Sequence, residues 1–142
     1  MIQKFGIHLK VKDIIKSLTF YMAFGLKPVF AYGHDEFRAK VGEGVTSVRE
    51  KYCGVVFDID GTSFEIADGH VAVKADVFQE TINSSKISAM FHVDSLEEII
   101  KICEQNFFPI AVQPREFHWG TKEMVVKDPE GFVLVFIENL KK

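Results

Sequence analysis

The residues best suited to chemistry in this sequence are two histidines and one glutamate: His8, His92 and Glu65. Imidazole and carboxylate groups bind divalent metals, and a glutamate whose pKa is raised by apolar surroundings can act as a general base. Glu65 is therefore the candidate catalytic residue. The structural alternative is that both imidazoles are neutral and hydrogen-bonded in a polar pocket. In that alternative Glu65 forms a salt bridge with one of three basic residues: Lys10, Arg38 or Arg49.

Other residues have the chemistry to contact a small organic ligand. Trp119, with His118 and Tyr52, could form an aromatic wall against a planar molecule, and Met90 shares a strand face with His92. Arginines can receive an anionic ligand through two parallel hydrogen bonds, and the candidates are Arg38, Arg49 and Arg115. Each group also has a structural interpretation, which is packing for Trp119 and solvation for the arginines.

The elements that must position these side chains are organised around a predicted hairpin in 122–139. Two apolar runs, 124–126 and 132–137, flank the turn sequence Asp-Pro-Glu-Gly at 128–131. A similar predicted hairpin occurs at 55–68, and aligning Gly61 with Gly131 pairs Glu65 with Val135. The chain therefore contains a diverged internal repeat of two copies.

The first half predicts a β-α-β-β-β order. The segment 4–11 alternates, with Phe5, Ile7 and Leu9 on its apolar face and His8 on the other. Asp13 starts a helix that stops at Gly25, and a strand follows over 29–32. The segment 33–52 holds two further strand-like runs, 37–41 and 45–49, which predict an extra hairpin or a mobile loop before the first hairpin copy closes the module.

The second half repeats this order after a linker over 69–86, which carries a turn of helix around 75–81. A strand over 87–93 places Phe91 on its apolar face and Met90 with His92 on the other. Asp94 or Ser95 starts a helix, a strand spans 109–112, and 115–120 is interpreted as a connection. The hairpin around 128–131 then closes the module. Glu138 has the opposite parity to Val135, so its side chain should project from the opposite face of the strand.

Composition limits the classes of function. A chain of 142 residues with 47% hydrophobic and 26% charged residues is typical of one globular domain. The net charge of −3 argues against nucleic acid as a partner. No apolar run reaches the ~18 residues of a membrane span, and no signal-peptide core is present, so neither a membrane nor export is expected. The two cysteines, Cys53 and Cys103, predict reduced thiols and a cytoplasmic location.

The sequence resembles the vicinal oxygen chelate superfamily, which includes glyoxalase I, extradiol dioxygenases and bleomycin-binding proteins. The resemblance rests on the two modules, on Ser17-x-x-Phe20-Tyr21 with Phe24-Gly25, and on Trp119-Gly120 upstream of 128–131. It implies an α+β fold in which two βαβββ modules with pseudo-twofold symmetry form a cupped mixed sheet, with the helices outside. We expect one domain, with module one over about 1–68, the linker 69–86 and module two over 87–142.

The resemblance also implies where a metal would bind. Four ligand positions fall on Gly6, Glu65, Ser88 and Val135, and only Glu65 can coordinate a divalent ion. His8 is displaced by two residues from Gly6, and His92 by four from Ser88, so a two-histidine, one-carboxylate site is not expected. We therefore predict neither a bound metal nor a cofactor.

Three classes of function remain open from the sequence. The favoured one is a metal-free small-molecule binding protein of the bleomycin-resistance type, whose cup is lined by His8, Glu65, Met90, His92 and Trp119. The second is an enzyme of the superfamily, a lyase, transferase or dioxygenase with a displaced metal site, or an isomerase using Glu65 as a base. The third is a structural or regulatory dimer with a vestigial cup. A homodimer is expected in each case, because closed twofold dimers are the commonest soluble assembly.

Overall fold

The computed structural model describes residues 1–141. By its internal contacts the chain divides into two compact units, Met1–Glu80 and Thr81–Lys142. That these units form one domain with 69–86 as its linker stays a prediction. Within residues 1–141 no helix is both long enough and apolar enough to cross a lipid bilayer.

The first unit is a five-stranded mixed sheet with helices. Its elements are β1 (Gly6–Lys10), α1 (Ile14–Ala23), β2 (Pro28–Gly33), α2 (Asp35–Val41), β3 (Thr46–Arg49), β4 (Gly54–Ile59) and β5 (Thr62–Ala67), followed by a 3-10 turn over Ala75–Gln79. The strand order is β1-β5-β4-β2-β3. The β1–β5 and β2–β3 pairs are parallel, and the other two pairs are antiparallel.

The second unit repeats the plan with four strands and one helix. Its elements are β6 (Ser88–Val93), α3 (Leu96–Asn106), β7 (Ile110–Phe117), β8 (Thr121–Lys127) and β9 (Val133–Asn139), in the sheet order β6-β9-β8-β7. Only the β6–β9 pair is parallel. The predicted α+β class is confirmed. The second unit has the expected β-α-β-β-β order, and the first unit has this order with α2 and β3 inserted after β2.

The sequence signals at the start of α1 and at the first turn perform as expected, whereas Ser95, the N-cap of α3, makes no side-chain capping hydrogen bond. The Asp13 side chain accepts a hydrogen bond from the Lys16 amide and caps α1, and Gly25 follows the helix at a positive φ. At the first hairpin, Asp60 and Gly61 both adopt positive φ, the conformation of a two-residue reversal. In the second unit the Glu138 carboxylate accepts a hydrogen bond from the Leu96 amide at 2.8 Å, so it does point towards α3.

Most of the predicted core is buried, with one clear error. Leu9, Phe64, Leu134 and Phe136 are buried, whereas Ile7 and Phe91 are partly buried. Phe5 is 69% exposed, because β1 begins at Gly6 and the preceding residue lies outside the sheet ladder.

The predicted strand over 37–41 is wrong, since this segment is α2. His34 caps the helix, because its Nδ1 accepts a hydrogen bond from the Phe37 amide at 3.1 Å. Two acidic residues in the first turn interact favourably with the positive end of the helix dipole. Phe37 and Val41, four residues apart, are both buried, so the apolar pattern fits either period. The expected hairpin is consequently a β2-α2-β3 crossover with parallel strands.

The predicted connection over 115–120 is also too long. Strand β7 continues to Phe117 and pairs with β8 through Phe117 and Thr121, leaving only residues 118–120 as the turn. The sequence signal was missing because the second part of this strand is largely exposed and has no apolar run like the one at its start.

Candidate functional site

A row of side chains crosses one face of the first sheet. In the strand register His8 is paired with Glu65, Glu65 with Val56, and Val56 with Phe30. Residues paired across neighbouring strands project to the same face of a sheet. The next pair on this face is Tyr32 with Gly54. The opposite face is the core, where the Tyr21 ring of α1 lies 4.8 Å from the Phe64 ring.

Tyr32 is tied directly to Glu65. Its hydroxyl donates a hydrogen bond to Glu65 Oε2 at 2.6 Å. The ring can reach this position because Gly54 has no side chain, and a Cβ built there would lie 2.1 Å from Tyr32 Cζ. Burial, followed by the hydrogen bond and charge of Glu65, raises the pKa of Tyr32 well above its usual range. Tyr32 therefore acts as a neutral donor.

His8 completes a three-residue cluster. Its Nε2 lies 3.4 Å from Glu65 Oε2, within ion-pair distance but outside hydrogen-bonding geometry, and is screened from solvent. Burial lowers the pKa of His8 more than the Glu65 charge raises it. His8 is therefore a neutral imidazole with an unsatisfied nitrogen. The His70 ring approaches it edge to face, at 6.1 Å between ring centroids.

The cluster adjoins a pocket of about 310 Å³. Its walls are mostly apolar and aromatic, with Phe30, Tyr32, Val48, Tyr52, Gly69 and Val71, and its polar side chains are Glu50, Glu65 and His70. Gly69 permits the Tyr52 wall, because a Cβ at this position would lie 1.9 Å from Tyr52 Cδ1. The volume is at the lower end of the range for ligand pockets, about 300–1,000 Å³, so the pocket suits a compact molecule.

The salt bridge expected for Glu65 is not formed with an arginine. Arg38 and Arg49 both bind the Asp35 carboxylate, and these hydrogen bonds, with that of Arg49 the stronger influence, lower the pKa of Asp35. Lys10 directs its Nζ to the His8 carbonyl at 3.4 Å. These contacts also make Arg38 and Arg49 poor candidates for holding an anionic ligand.

The other predicted ligand-binding residues belong to the second unit. Met90 is paired with Val135 and is 67% exposed, whereas His92 is paired with Ile137. The Trp119 ring stacks on Phe117 at 4.6 Å between centroids, and its Nε1 donates to Thr121 Oγ1 at 2.7 Å. Of the five residues proposed to bind ligand, His8 and Glu65 are thus brought together within one unit.

The strand registers identify the counterparts of His8 and Glu65 in the second unit. Glu65 corresponds to Val135 in the repeat, and the register partner of Val135 is Met90. Met90 is therefore the counterpart of His8, and His92 lies two residues further along. Register, rather than the count back from Asp13, determines that His8 and not Gly6 stands beside Glu65.

These residues do not fit the metal site that the family resemblance implies. At the paired strand positions the first unit offers the His8 imidazole and the Glu65 carboxylate, and the counterpart pair in the second unit, Met90 and Val135, is a thioether and an isopropyl group. Divalent metals in proteins are held by several nitrogen, oxygen or thiolate ligands. Over residues 1–141 no cluster of three or more histidine, cysteine, aspartate or glutamate side chains is arranged to hold a metal ion.

Sequence reasoning missed several residues of the pocket, although it did single out Tyr52. Phe30 and Tyr32 share a parity on β2, and Gly54 opposite Tyr32 is the signal that an aromatic ring crosses the strand there. The contributions of His70 and Val71 come from the predicted linker. Because a loop has no periodicity, no sequence pattern could have placed them.

The neutral state of His8 predicts a pH dependence of stability. A histidine whose folded pKa is depressed contributes stability above its ordinary pKa, about 6.5, and this contribution is lost as the pH falls toward the folded pKa. We expect the free energy of unfolding to fall between about pH 7.5 and pH 5, and His8→Asn to reduce this slope. His92→Asn is the matched control, and an equal slope in wild type and His8→Asn would contradict the assignment.

Comparison with known proteins gives a family and a fold. Residues 6–136 match a family model described as the Glyoxalase/Bleomycin resistance protein/Dioxygenase superfamily. No curated protein sequence matches the chain significantly. A glyoxalase I variant from Zea mays has a TM-score of 0.69 at 14% identity, over 98% of this chain and 46% of that chain.

Two further solved structures are similar over most of both chains. A trypanothione-dependent glyoxalase I from Leishmania major has a TM-score of 0.65 at 14% identity, over 97% of this chain and 87% of that chain. A bleomycin-binding protein complexed with bleomycin has a TM-score of 0.59 at 17% identity, over 98% of this chain and 99% of that chain. At these identities the likeness establishes the fold alone.

Proposed function

Because the chain belongs to the glyoxalase/bleomycin resistance protein/dioxygenase superfamily, we propose that it is a metal-free small-molecule binding protein of the bleomycin-resistance type. The observation that carries the proposal is the pocket of about 310 Å³ beside Glu65, His8 and Tyr32. Its combination of apolar walls and a few fixed polar groups is typical of sites that hold an organic ligand.

The Glu65 carboxylate is held in place by a contact within the chain. Tyr32 fixes the Glu65 carboxylate through Oε2, and no described residue donates a hydrogen bond to Oε1. A ligand N–H or O–H group can therefore bind Oε1 without breaking an existing contact. Of the residues proposed to bind ligand, Glu65 lines this pocket and His8 lies beside Glu65. Met90, His92 and Trp119 belong to the second unit, and a role in ligand binding is proposed for them separately.

The first test measures metal and ligand binding together. We expect protein from metal-supplemented medium to carry far less than one equivalent of divalent metal per chain, because one imidazole and one carboxylate do not hold such an ion against water. We also expect compact organic ligands to raise the melting temperature. About one equivalent of metal, lost in His8→Ala or His92→Ala, would refute the metal-free proposal.

A second candidate function is a metal-free isomerase in which Glu65 is the base. The Tyr32–Glu65 contact favours it, because a carboxylate held at a pocket wall can accept a proton from a bound substrate through Oε1. Exchange of a ligand C–H proton for deuterium in heavy water, followed by NMR, separates the two functions. Exchange that stops in Glu65→Gln supports the enzyme, and binding without exchange supports the binding protein.

The proposed assembly is a cytoplasmic homodimer. Sedimentation equilibrium is expected to give twice the chain mass of 16.1 kDa. The prediction is wrong if the protein stays at the single-chain mass at high micromolar concentration.

A further inference from the structure

Glu65 is a half-buried carboxylate whose charge is not balanced by a basic residue. Its side chain is 31% exposed, and its two neighbours are the Tyr32 hydroxyl and the neutral His8 imidazole. Among the described residues no lysine or arginine lies within ion-pair distance of it, because Arg38 and Arg49 are both engaged by Asp35. A carboxylate partly withdrawn from water is stabilised by a nearby positive charge.

The residues around the pocket strengthen this asymmetry. Glu50 supplies a second carboxylate, and no lysine or arginine is among the residues that line the walls. Two lysines lie nearby but do not pair with Glu65. Lys10 directs its Nζ to the His8 carbonyl at 3.4 Å, and the exposed Lys51 places its Nζ 5.4 Å from the Tyr52 ring centroid. The Tyr52 ring thus already attracts an ammonium group from within the chain.

Three aromatic rings complete the arrangement: Phe30, Tyr32 and Tyr52. The Phe30 and Tyr32 rings lie 6.3 Å apart between centroids at a 42° tilt, so they present two differently oriented surfaces. The face of an aromatic ring carries partial negative charge and attracts organic cations, most strongly where water is excluded. Carboxylates and ring faces therefore select the same sign of charge.

We propose that the ligand of this pocket is a compact organic cation, an alkylammonium or quaternary ammonium group carried on a small apolar body. The cationic group would lie against Glu65 and the aromatic rings, and the apolar body against Val48. The inference rests on the proposed binding function and adds the chemical class of the ligand. An anionic ligand is disfavoured, because it would bring like charges together at Glu50 and Glu65.

The experiment compares three probes of similar size and different charge: benzylammonium, benzyl alcohol and benzoate. Each is titrated at pH 7.5 into 15N-labelled full-length protein, and binding is followed by amide chemical shifts in 48–52 and 69–71. Because both carboxylates are partly exposed, we expect a modest preference, with benzylammonium binding about tenfold more tightly than benzyl alcohol and benzoate more weakly than both.

Two variants assign the preference to the pocket. Glu65→Gln keeps an oxygen that can accept the Tyr32 hydrogen bond and should remove most of the advantage of benzylammonium over benzyl alcohol. Glu50→Gln should remove a smaller part, and it perturbs only an exposed residue. Glu43→Gln, an exposed carboxylate outside the pocket, should leave the ratio unchanged.

The outcomes separate this inference from the function on which it rests. Equal binding of benzylammonium and benzyl alcohol, or a ratio that Glu65→Gln does not change, overturns the cation inference and leaves the binding function standing. Tighter binding of benzoate overturns it as well. If none of the three probes changes the amide chemical shifts in 48–52 and 69–71, the binding function itself is refuted.

Discussion

Replacing Asp128 with alanine is expected to lower the free energy of unfolding by about 2–4 kcal/mol. Asp128 is only 5% exposed, and its Oδ1 accepts hydrogen bonds from the Glu130 amide at 2.9 Å and the Phe132 amide at 2.8 Å. Without the carboxylate these two buried donors lose their partner, and an unsatisfied buried donor costs more than an average hydrogen bond contributes. Urea unfolding of the two proteins measures the difference.

The internal repeat supplies the matched control for this change. Asp58 occupies the same position in the first hairpin, but it is exposed, and its only side-chain contact given by the structure is with the Gly61 amide at 3.5 Å. Asp58→Ala is therefore expected to cost less than about 0.5 kcal/mol. Similar losses in the two variants would show that the turn sequence, and not burial, determines the contribution of these aspartates.

The two aspartates show what a sequence pattern does and does not predict. Their spacing from glycine identified both hairpins, because a tight reversal imposes local rules on residue type. Their environments differ because the second turn is covered by the segment before β6, where the Ile82 amide donates to the Glu130 carbonyl at 2.8 Å. That contact joins residues far apart in the chain, and no local pattern encodes it.

The candidate site was likewise predictable only in part from local sequence patterns. Alternation predicted that His8 projects from the polar face of β1, and the repeat placed Glu65 on β5. Their pairing depends on the parallel register of two strands separated by most of the first unit, which alternation leaves undetermined. The count from Asp13 favoured Gly6 over His8, and it could not detect the hydrogen bond from Tyr32.

The region 33–52 was the least predictable part of the first unit. The pattern of this segment is compatible with a helix, which would have Asp35 and Glu36 in its first turn and Phe37 and Val41 on one face. Alternation over 37–41 is equally compatible with a strand. The helical outcome depends on the His34 cap and on Arg38, which donates to the Gly33 carbonyl and to Ser47. Once α2 forms, β3 pairs parallel to β2 and places Val48 in the pocket wall.

Replacing Gly54 with alanine is expected to cost about 2–3 kcal/mol of stability and to weaken ligand binding at least about tenfold. The added Cβ would stand 2.1 Å from Tyr32 Cζ and 2.3 Å from its hydroxyl oxygen, far inside van der Waals contact. The ring must move, and its 2.6 Å hydrogen bond to Glu65 Oε2 is then lost together with one wall of the pocket. Urea unfolding and the benzylammonium titration measure the two effects.

A double-mutant cycle attributes the loss to this contact. A Tyr32→Ala background removes the three atoms nearest to the added Cβ. Gly54→Ala should then be neutral or stabilising, because glycine in a strand interior costs roughly 0.5–1 kcal/mol relative to alanine. The sign of the substitution is thus expected to reverse between the two backgrounds. If Gly54→Ala is equally destabilising without the Tyr32 ring, the added methyl group displaces the backbone of β4 rather than the tyrosine ring. The glycine would then be required for the backbone of the sheet and not for the position of Glu65.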